Sequence, residues 1–499
     1  MGSHAVMPAA RLPGGPGVLS WFVPPGLADE VAAQAAAERD AALAAAGEKV
    51  PRRRVRLLPP RVALYFTLAL CLSARLPYRE VMRSLAGPVP VPAATALTAA
   101  RRRLGERALE LLFWRVAGPL VTWREPWALA CGLQLVAWDG TTLAAPASPG
   151  NAAAFGLPGT GTGGRGAAAG HFPRARVVAL IACGTRALLG AAIGPLADGE
   201  QKLAGSLASC LQPGMLLLAD RNFWSHALWR QCAATGADLL WRVKSSMLLP
   251  VARPLPDGSW LTTVNGTPQA RRRAERNRHR RKRGGRQPQD TGPLPGDLTL
   301  RAIEFTVTVT TPGGTTRTRR YRAVTTLLDW RRHPAAALAA AYARRWEIET
   351  GYRDLKATLG DGRALRSRTP DLARQEIWAM LVACQAVRAL ACHAAATAGT
   401  SPARISFAAA LRAARRHHGP AALAAASAEV AAQPLAQRPP RTCARAITAR
   451  HSHFPLKRHA PQPLPQPVHY TTTITPPRTT TPHPRSQHEH PPSQPPAPP

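Results

Sequence analysis

The sequence predicts an α/β fold: a mixed sheet covered by helices, with a helical region before it and a β-rich segment inserted into it. Three observations carry that prediction. Between residues 133 and 244, short continuous apolar runs alternate with helix-like stretches, the pattern of strands buried on both faces. Residues 1–125 instead read as helical, with Ala-, Leu- and Arg-rich stretches of which 27–47 has few breakers. Residues 246–328 then switch to Thr/Val alternation around Pro312, Gly313 and Gly314, as expected for strands joined by a turn.

The chain in order justifies each element. Residues 27–47 are Ala- and Glu-rich and read as helix. Pro60 opens PRVALYFTLALCLSARL, which leads into PYREVMRSLAG. Pro77 suits the first helical position and Gly87 the end. Residues 98–116 form a further helix with Arg on one side. A basic helical domain over 1–125 is a candidate DNA-binding module.

The core follows in two parts, 126–245 and 329–400. LQLVAWD (133–139) reads as a strand ended by Gly140 and Thr141, VVALIAC (177–183) as a second, ALLGAAI (187–193) as a third. Residues 203–211 read as helix, MLLLAD (215–220) as strand, 224–235 as helix and DLLWRVK (238–244) as strand. Asp139 and Asp220 therefore occupy equivalent places, each at the end of an apolar run. Such an acid is a helix cap, a turn former or a metal ligand.

The insertion, 246–328, contains WLTTV, the long run from 298 to 327 and a basic loop, RRRAERNRHRRKRGGR (271–286), which reads as a solvated segment able to neutralise phosphates. After it, residues 335–360 read as one helix. Ile348, Tyr352, Leu355 and Leu359 make an apolar stripe at the helical period. Tyr342, Arg345, Glu349 and Lys356 share an adjacent face. Only six of the 65 cations are Lys, so a Lys on that face stands out where an Arg would not. Residues 370–396 read as a long core helix, and 401–430 as a short basic helical region. The Pro-, Thr- and His-rich stretch 431–499 lacks an apolar period and reads as disordered.

The formal charge of +37 and the pI near 11.6 point to a polyanionic partner, nucleic acid first. The eight cysteines have no CxxC spacing and suit a reducing cytoplasm. No signal-peptide pattern is evident, and the most apolar early run, 62–72, is too short to span a bilayer; no membrane partner is expected. There is no Walker-type phosphate loop. Three carboxylates, Asp139, Asp220 and Glu349, would repel one another at a strand-end crevice unless a cation lies between them. Oxygen ligands of this kind suit Mg²⁺, with Mn²⁺ as a substitute.

The spacing Tyr342-x2-Arg345-x3-Glu349-x6-Lys356 resembles the signature around the last acid of DDE-type DNA transposases of the insertion-sequence-four group. WDGTTLAAPASPGNAAAFG around Asp139 and LLLADRNFWSHALWRQCAATGADLLWRVKSS around Asp220 are similar to the motifs of the first two acids in that group. The order of a Pro-Arg-Val start, an apolar helix, Tyr-Arg-Glu-Val and an Arg-rich helix resembles its N-terminal domain. One departure is that Ala147 and Ser148 stand between Pro146 and Pro149, where the family often has an acid.

The resemblance implies a ribonuclease H-like core with a β-rich insertion, Asp139, Asp220 and Glu349 as catalytic metal ligands, and Tyr342, Arg345 and Lys356 as contacts to the DNA backbone. It also implies terminal inverted repeats and target DNA as partners, a homodimeric synapse and a cytoplasmic, nucleoid-associated location. The function expected is cleavage of the protein's own element ends and their joining to target DNA. The alternatives are a nuclease of the same fold without strand transfer, and a catalytically inactive DNA-binding remnant.

Overall fold

The computed structural model describes residues 17–50, 58–86, 90–121, 125–158, 172–266, 296–310, 314, 316–417, 422–435 and 469–477. The basic loop 271–286, Gly87, the Pro312–Gly313 turn and Cys443 lie outside them.

Five helices come first: α1 (Val18–Phe22), α2 (Pro25–Ala45), α3 (Pro60–Leu72), α4 (Tyr78–Ala86) and α5 (Ala94–Val116). Pro25 and Pro60 sit in the first turns of α2 and α3, where a missing N–H costs nothing. Helix α3 is apolar all round and is buried from Val62 to Leu72. Helix α5 kinks at Gly105, whose φ of 78° breaks the helical run.

The sheet and its covering helices follow: β1 (Leu129–Ala130), β2 (Leu133–Ala144), α6 (Pro149–Phe155), β3 (Arg174–Ala182), β4 (Leu188–Pro195), α7 (Glu200–Ser206), β5 (Met215–Ala219), α8 (His226–Ala233) and β6 (Asp238–Arg242). Then come β7 (Arg253–Pro254), β8 (Trp260–Val264), β9 (Leu298–Thr310) and β10 (Thr316–Thr325). The chain closes with α9 (Ala335–Ala343), α10 (Trp346–Arg353), a π-helical turn (Asp354–Leu359), α11 (Pro370–Thr397), α12 (Phe407–Arg416), α13 (Ala422–Ala431) and β11 (His469–Ile474).

The strand order is β4-β3-β2-β5-β6-β10-β9-β8-β7, with β1 beside β2 and β11 beside β9. The pairs β2–β5 and β5–β6 are parallel, and the others are antiparallel. The inserted strands extend the core sheet, because Ala323–Thr325 of β10 pair with Arg242–Leu240 of β6.

Both faces of the sheet are buried, as the continuous apolar runs require. Leu135, Ala137, Leu216 and Leu218 face one core, which runs on into the N-terminal helices and α11. Val136, Trp138, Leu217, Ala219 and Trp241 face a second core under α7 and α8. The N-terminal helices thus share a core with the sheet through α11. That helix is long and apolar enough to cross a membrane, but 94% of the stretch is buried inside the protein; it is the core helix that its sequence predicts.

Three expectations need correction. Strand β2 does not stop at Gly140 but continues to Ala144, because β3 pairs with it over Val136–Ala144. The 335–360 helix is broken. Backbone bonds from Arg345 to Tyr342 and from Ile348 to Arg345 tighten the chain between α9 and α10, and a π-helical turn follows α10. There Asp354 is buried against Arg388 of α11, with Arg186 Nη1 at 3.9 Å.

The third correction concerns the tail, which contributes a strand. Residues 469–474 pair with β9 over Phe305–Thr310, the part of that edge left bare by β8, and Thr475 N–H donates to the Glu304 carbonyl at 2.8 Å. An open strand edge is a ready template for pairing, and HYTTTI, with its Tyr, Thr and Ile, suits a strand. A chain ending at residue 468 is expected to show about tenfold faster amide exchange across 305–310, with β2 and β5 unchanged; equal protection at 305–310 would deny the strand its role.

Candidate active site

The sheet places the first two acids. Parallel pairing sets Gln134 beside Met215 and Ala137 beside Leu218, so Asp139 and Asp220 lie two residues further on at the same level. Side chains alternate along strands. Asp139 therefore follows Leu135 and Ala137, and Asp220 follows Leu216 and Leu218, onto the face covered by α10. Strand β5 ends at Ala219 while β2 continues, which opens a crevice beside Asp139. Behind it, Trp138 packs against Phe223 and Trp241 at ring separations of 5.6 and 5.8 Å, a rigid aromatic support beneath both acids.

Helix α10 brings the third acid. Ile348, Tyr352, Leu355 and Leu359 are all buried, as the stripe predicts. Glu349 lies on the flank of that stripe and accepts from Arg345 Nη2 at 3.1 Å. Arg345 Nη1 lies 3.8 Å from Asp139 Oδ2. One guanidinium, 5% exposed, thus joins the first acid to the third.

The charges of the acids act on that cation. Burial opposes the charge of Arg345, but Tyr342, Asp139, Asp220 and Glu349 together more than reverse this and raise its proton affinity. Burial pushes Asp139 up to about 7; Arg345 and the Gly140 N–H pull it back, while Glu349 and Glu200 push it further up. Glu200 lies against Gly140, where a Cβ would stand 2.3 Å from Oε1, so a side chain at 140 would push the Glu200 carboxylate away. Arg176 holds Glu200 at 3.2 Å.

The remaining predicted residues divide. Lys356 donates to Thr141 Oγ1 at 3.2 Å, two residues beyond Asp139. Its proton affinity is lowered by burial and then by Arg174. It lines a cleft of about 540 Å³ between the end of α3 and the core, together with Arg75, Arg174, Arg363 and Arg366. Tyr342 is 4% exposed, and its hydroxyl donates to the Ala219 carbonyl at 3.3 Å. Its ring packs near Phe305 and Tyr321. The break after α9 turns this residue towards the core, against the strand that leads into Asp220.

Sequence reasoning missed Arg242, whose Nη1 lies 3.6 Å from Asp220 Oδ1, and Arg174. Both are lost in the Arg-rich background, and only their places at strand ends could have marked them.

The donor set fits a hard divalent cation. All candidate ligands are carboxylate oxygens, and Asp220 Oδ1 is buried without a hydrogen bond, with the Arg242 guanidinium at 3.6 Å, which leaves it an acceptor that a closer cation would satisfy. The cluster is not drawn tight: among the described residues no three acidic, His or Cys side chains converge into a ready-made metal cage. Arg345 stands between Asp139 and Glu349 instead.

A mixed sheet of this order, with acids level on neighbouring parallel strands and a third on a covering helix, defines a ribonuclease H-like fold. Comparison with known families agrees. Residues 131–384 match the family model described as "Transposase DDE domain", and residues 17–114 match "Insertion element 4 transposase N-terminal". The chain belongs to the DDE transposase family, in its insertion-element-4 group. It is 28% identical over 348 residues to the transposase InsG for insertion sequence element IS4 of Escherichia coli (strain K12), covering 67% of this chain and 70% of that one. A piggyBac transposase in a synaptic complex with hairpin DNA aligns over 83% of this chain and 81% of its own, with 9% identity and a TM-score of 0.40.

Proposed function

We propose that this transposase cuts the ends of its own insertion element and joins them to target DNA by metal-dependent phosphoryl transfer. The observation that carries this reading is the pairing of Arg345 with both Asp139 and Glu349, beside parallel strands that set Asp220 level with Asp139. Asp139, Asp220 and Glu349 would hold Mg²⁺, for which Mn²⁺ can substitute. The bound metal would supply activation of the attacking water or 3′-hydroxyl and stabilisation of the leaving 3′ oxygen.

The chain's own residues do the rest. Arg345 keeps the carboxylates together in the metal-free protein, and it is the nearest forked donor for the scissile phosphate once they are otherwise satisfied. Lys356, with Arg174 beside it, supplies positive charge along the adjoining cleft for the DNA backbone. Trp138, Phe223 and Trp241 form a stiff floor that fixes the acids for attack.

The net charge of +37 suits long contact with DNA. The helical N-terminal region, residues 1–125, is the candidate end-binding module. Two copies pairing two ends is the expected assembly, and the cytoplasm, at the nucleoid, the expected place.

The deciding test is strand joining. Purified protein, a pre-cut duplex carrying the element end and supercoiled plasmid are incubated with Mg²⁺. Covalently joined product supports transposition. Cleavage of an uncut end without any joined product would leave a nuclease only.

A further inference from the structure

The apolar stripe of α10 contains one polar group, and it does not point at solvent. Strands β2 and β3 pair Asp139 with Ala179. The Tyr352 hydroxyl reaches this rung. It accepts from the Ala179 N–H at 2.9 Å and donates to the Asp139 carbonyl. Tyr352 is 9% exposed. Burial, and then the nearby Asp139 charge, raise its proton affinity well above the ordinary phenol range, so it stays a neutral donor and acceptor. Tyr352 lies three residues beyond Glu349, within one helical turn. A single side chain therefore fastens the helix of the third acid to the backbone of the first.

We propose that Tyr352 is a positioning residue that sets the separation of Asp139 and Glu349. Pure core filling would need only its ring, and Phe would serve as well. The hydroxyl adds a directional link made to the very residue whose carboxylate is used, and at its backbone, where a shift moves the side chain directly. Arg345 links the same two acids through their carboxylates, a link that cation binding competes with. The Tyr352 link involves neither carboxylate, so it persists when they are engaged. The inference rests on the reading of Asp139 and Glu349 as metal ligands.

The test is Tyr352→Phe in the full chain, with Mn²⁺ affinity measured by electron paramagnetic resonance alongside Mg²⁺-dependent cleavage of an end duplex, end binding and melting. The expected result is Mn²⁺ affinity about tenfold weaker and cleavage about 10- to 100-fold slower, with end affinity within twofold. Wild-type Mn²⁺ affinity and cleavage in Tyr352→Phe would overturn the proposal.

Ile348→Val on the same buried stripe controls for loosening of α10. It is expected to keep wild-type Mn²⁺ affinity, and an equal loss there would also overturn the proposal. Asp139→Asn separates the two levels. If it leaves Mn²⁺ binding unchanged, the reading of the site fails and this inference with it. If it abolishes binding while Tyr352→Phe does not weaken it, only this inference fails.

Discussion

Asp139→Asn is expected to abolish end cleavage, by about a thousandfold or more, while making the metal-free protein more stable at pH 8. The second half follows from the burial of Asp139, which pushes its proton affinity up to about 7 from an ordinary 3.8. A carboxyl raised in the folded state binds more protons there than in the unfolded chain. Stability from this group is therefore lost as pH rises from about 4 to about 7. Asn carries no charge and escapes that loss.

In EDTA at pH 8 the variant should thus be more stable than wild type, by about 2 kcal/mol once partial solvent access is allowed for, and the gap should close towards pH 4. Mg²⁺ should stabilise wild type increasingly from pH 5 to pH 8 and leave the variant unchanged. A variant that melts lower than wild type at pH 8 in EDTA would contradict this account of the site.

Arg345→Met is expected to cost about 3–5 kcal/mol in EDTA, the usual result of removing one partner from a buried ionic cluster. Arg345 touches Glu349 at 3.1 Å and lies 3.8 Å from Asp139, and its side chain is 6% exposed. Its loss leaves Asp139 and Glu349 facing each other without it. Millimolar Mg²⁺ should restore part of the lost stability, because a divalent cation compensates the same charges, whereas NaCl at equal ionic strength should not. An unchanged melting point in EDTA would show that the guanidinium does not hold the acids together. Cleavage by Arg345→Met should remain depressed even with Mg²⁺ if the residue also contacts the phosphate.

Much of the site is legible in the sequence, for physical reasons that differ by element. Asp139 and Asp220 are visible because each ends a run of apolar residues, and parallel pairing of those runs brings the acids level. Glu349 is visible because the stripe Ile348-Tyr352-Leu355-Leu359 fixes which face of the helix is buried. What periodicity could not show is where that helix breaks. The turn between Tyr342 and Arg345 and the π-helical turn at Asp354 are set by tertiary partners, Ala219 for Tyr342 and Arg388 for Asp354. These partners are 123 and 34 residues away in sequence.

The same limit hid the Tyr352 bridge. A tyrosine on an apolar stripe carries no sign of where its hydroxyl ends. The strand at 469–474 was invisible for the converse reason. Its six residues favour a strand, but they lie in a Pro- and His-rich stretch with no apolar period, and the bare edge of β9 that recruits them belongs to another part of the chain.

The central claim is that Asp139, Asp220 and Glu349 form one metal-dependent centre for cutting DNA. The measurement that tests it most directly is cleavage of a labelled duplex carrying the element's own end, by wild type and by Glu349→Gln, with Mg²⁺ and with EDTA. The account predicts nicking at the element boundary by wild type with Mg²⁺ alone, and none by Glu349→Gln, although both proteins bind the duplex. Nicking that survives EDTA, or that Glu349→Gln retains, would contradict it.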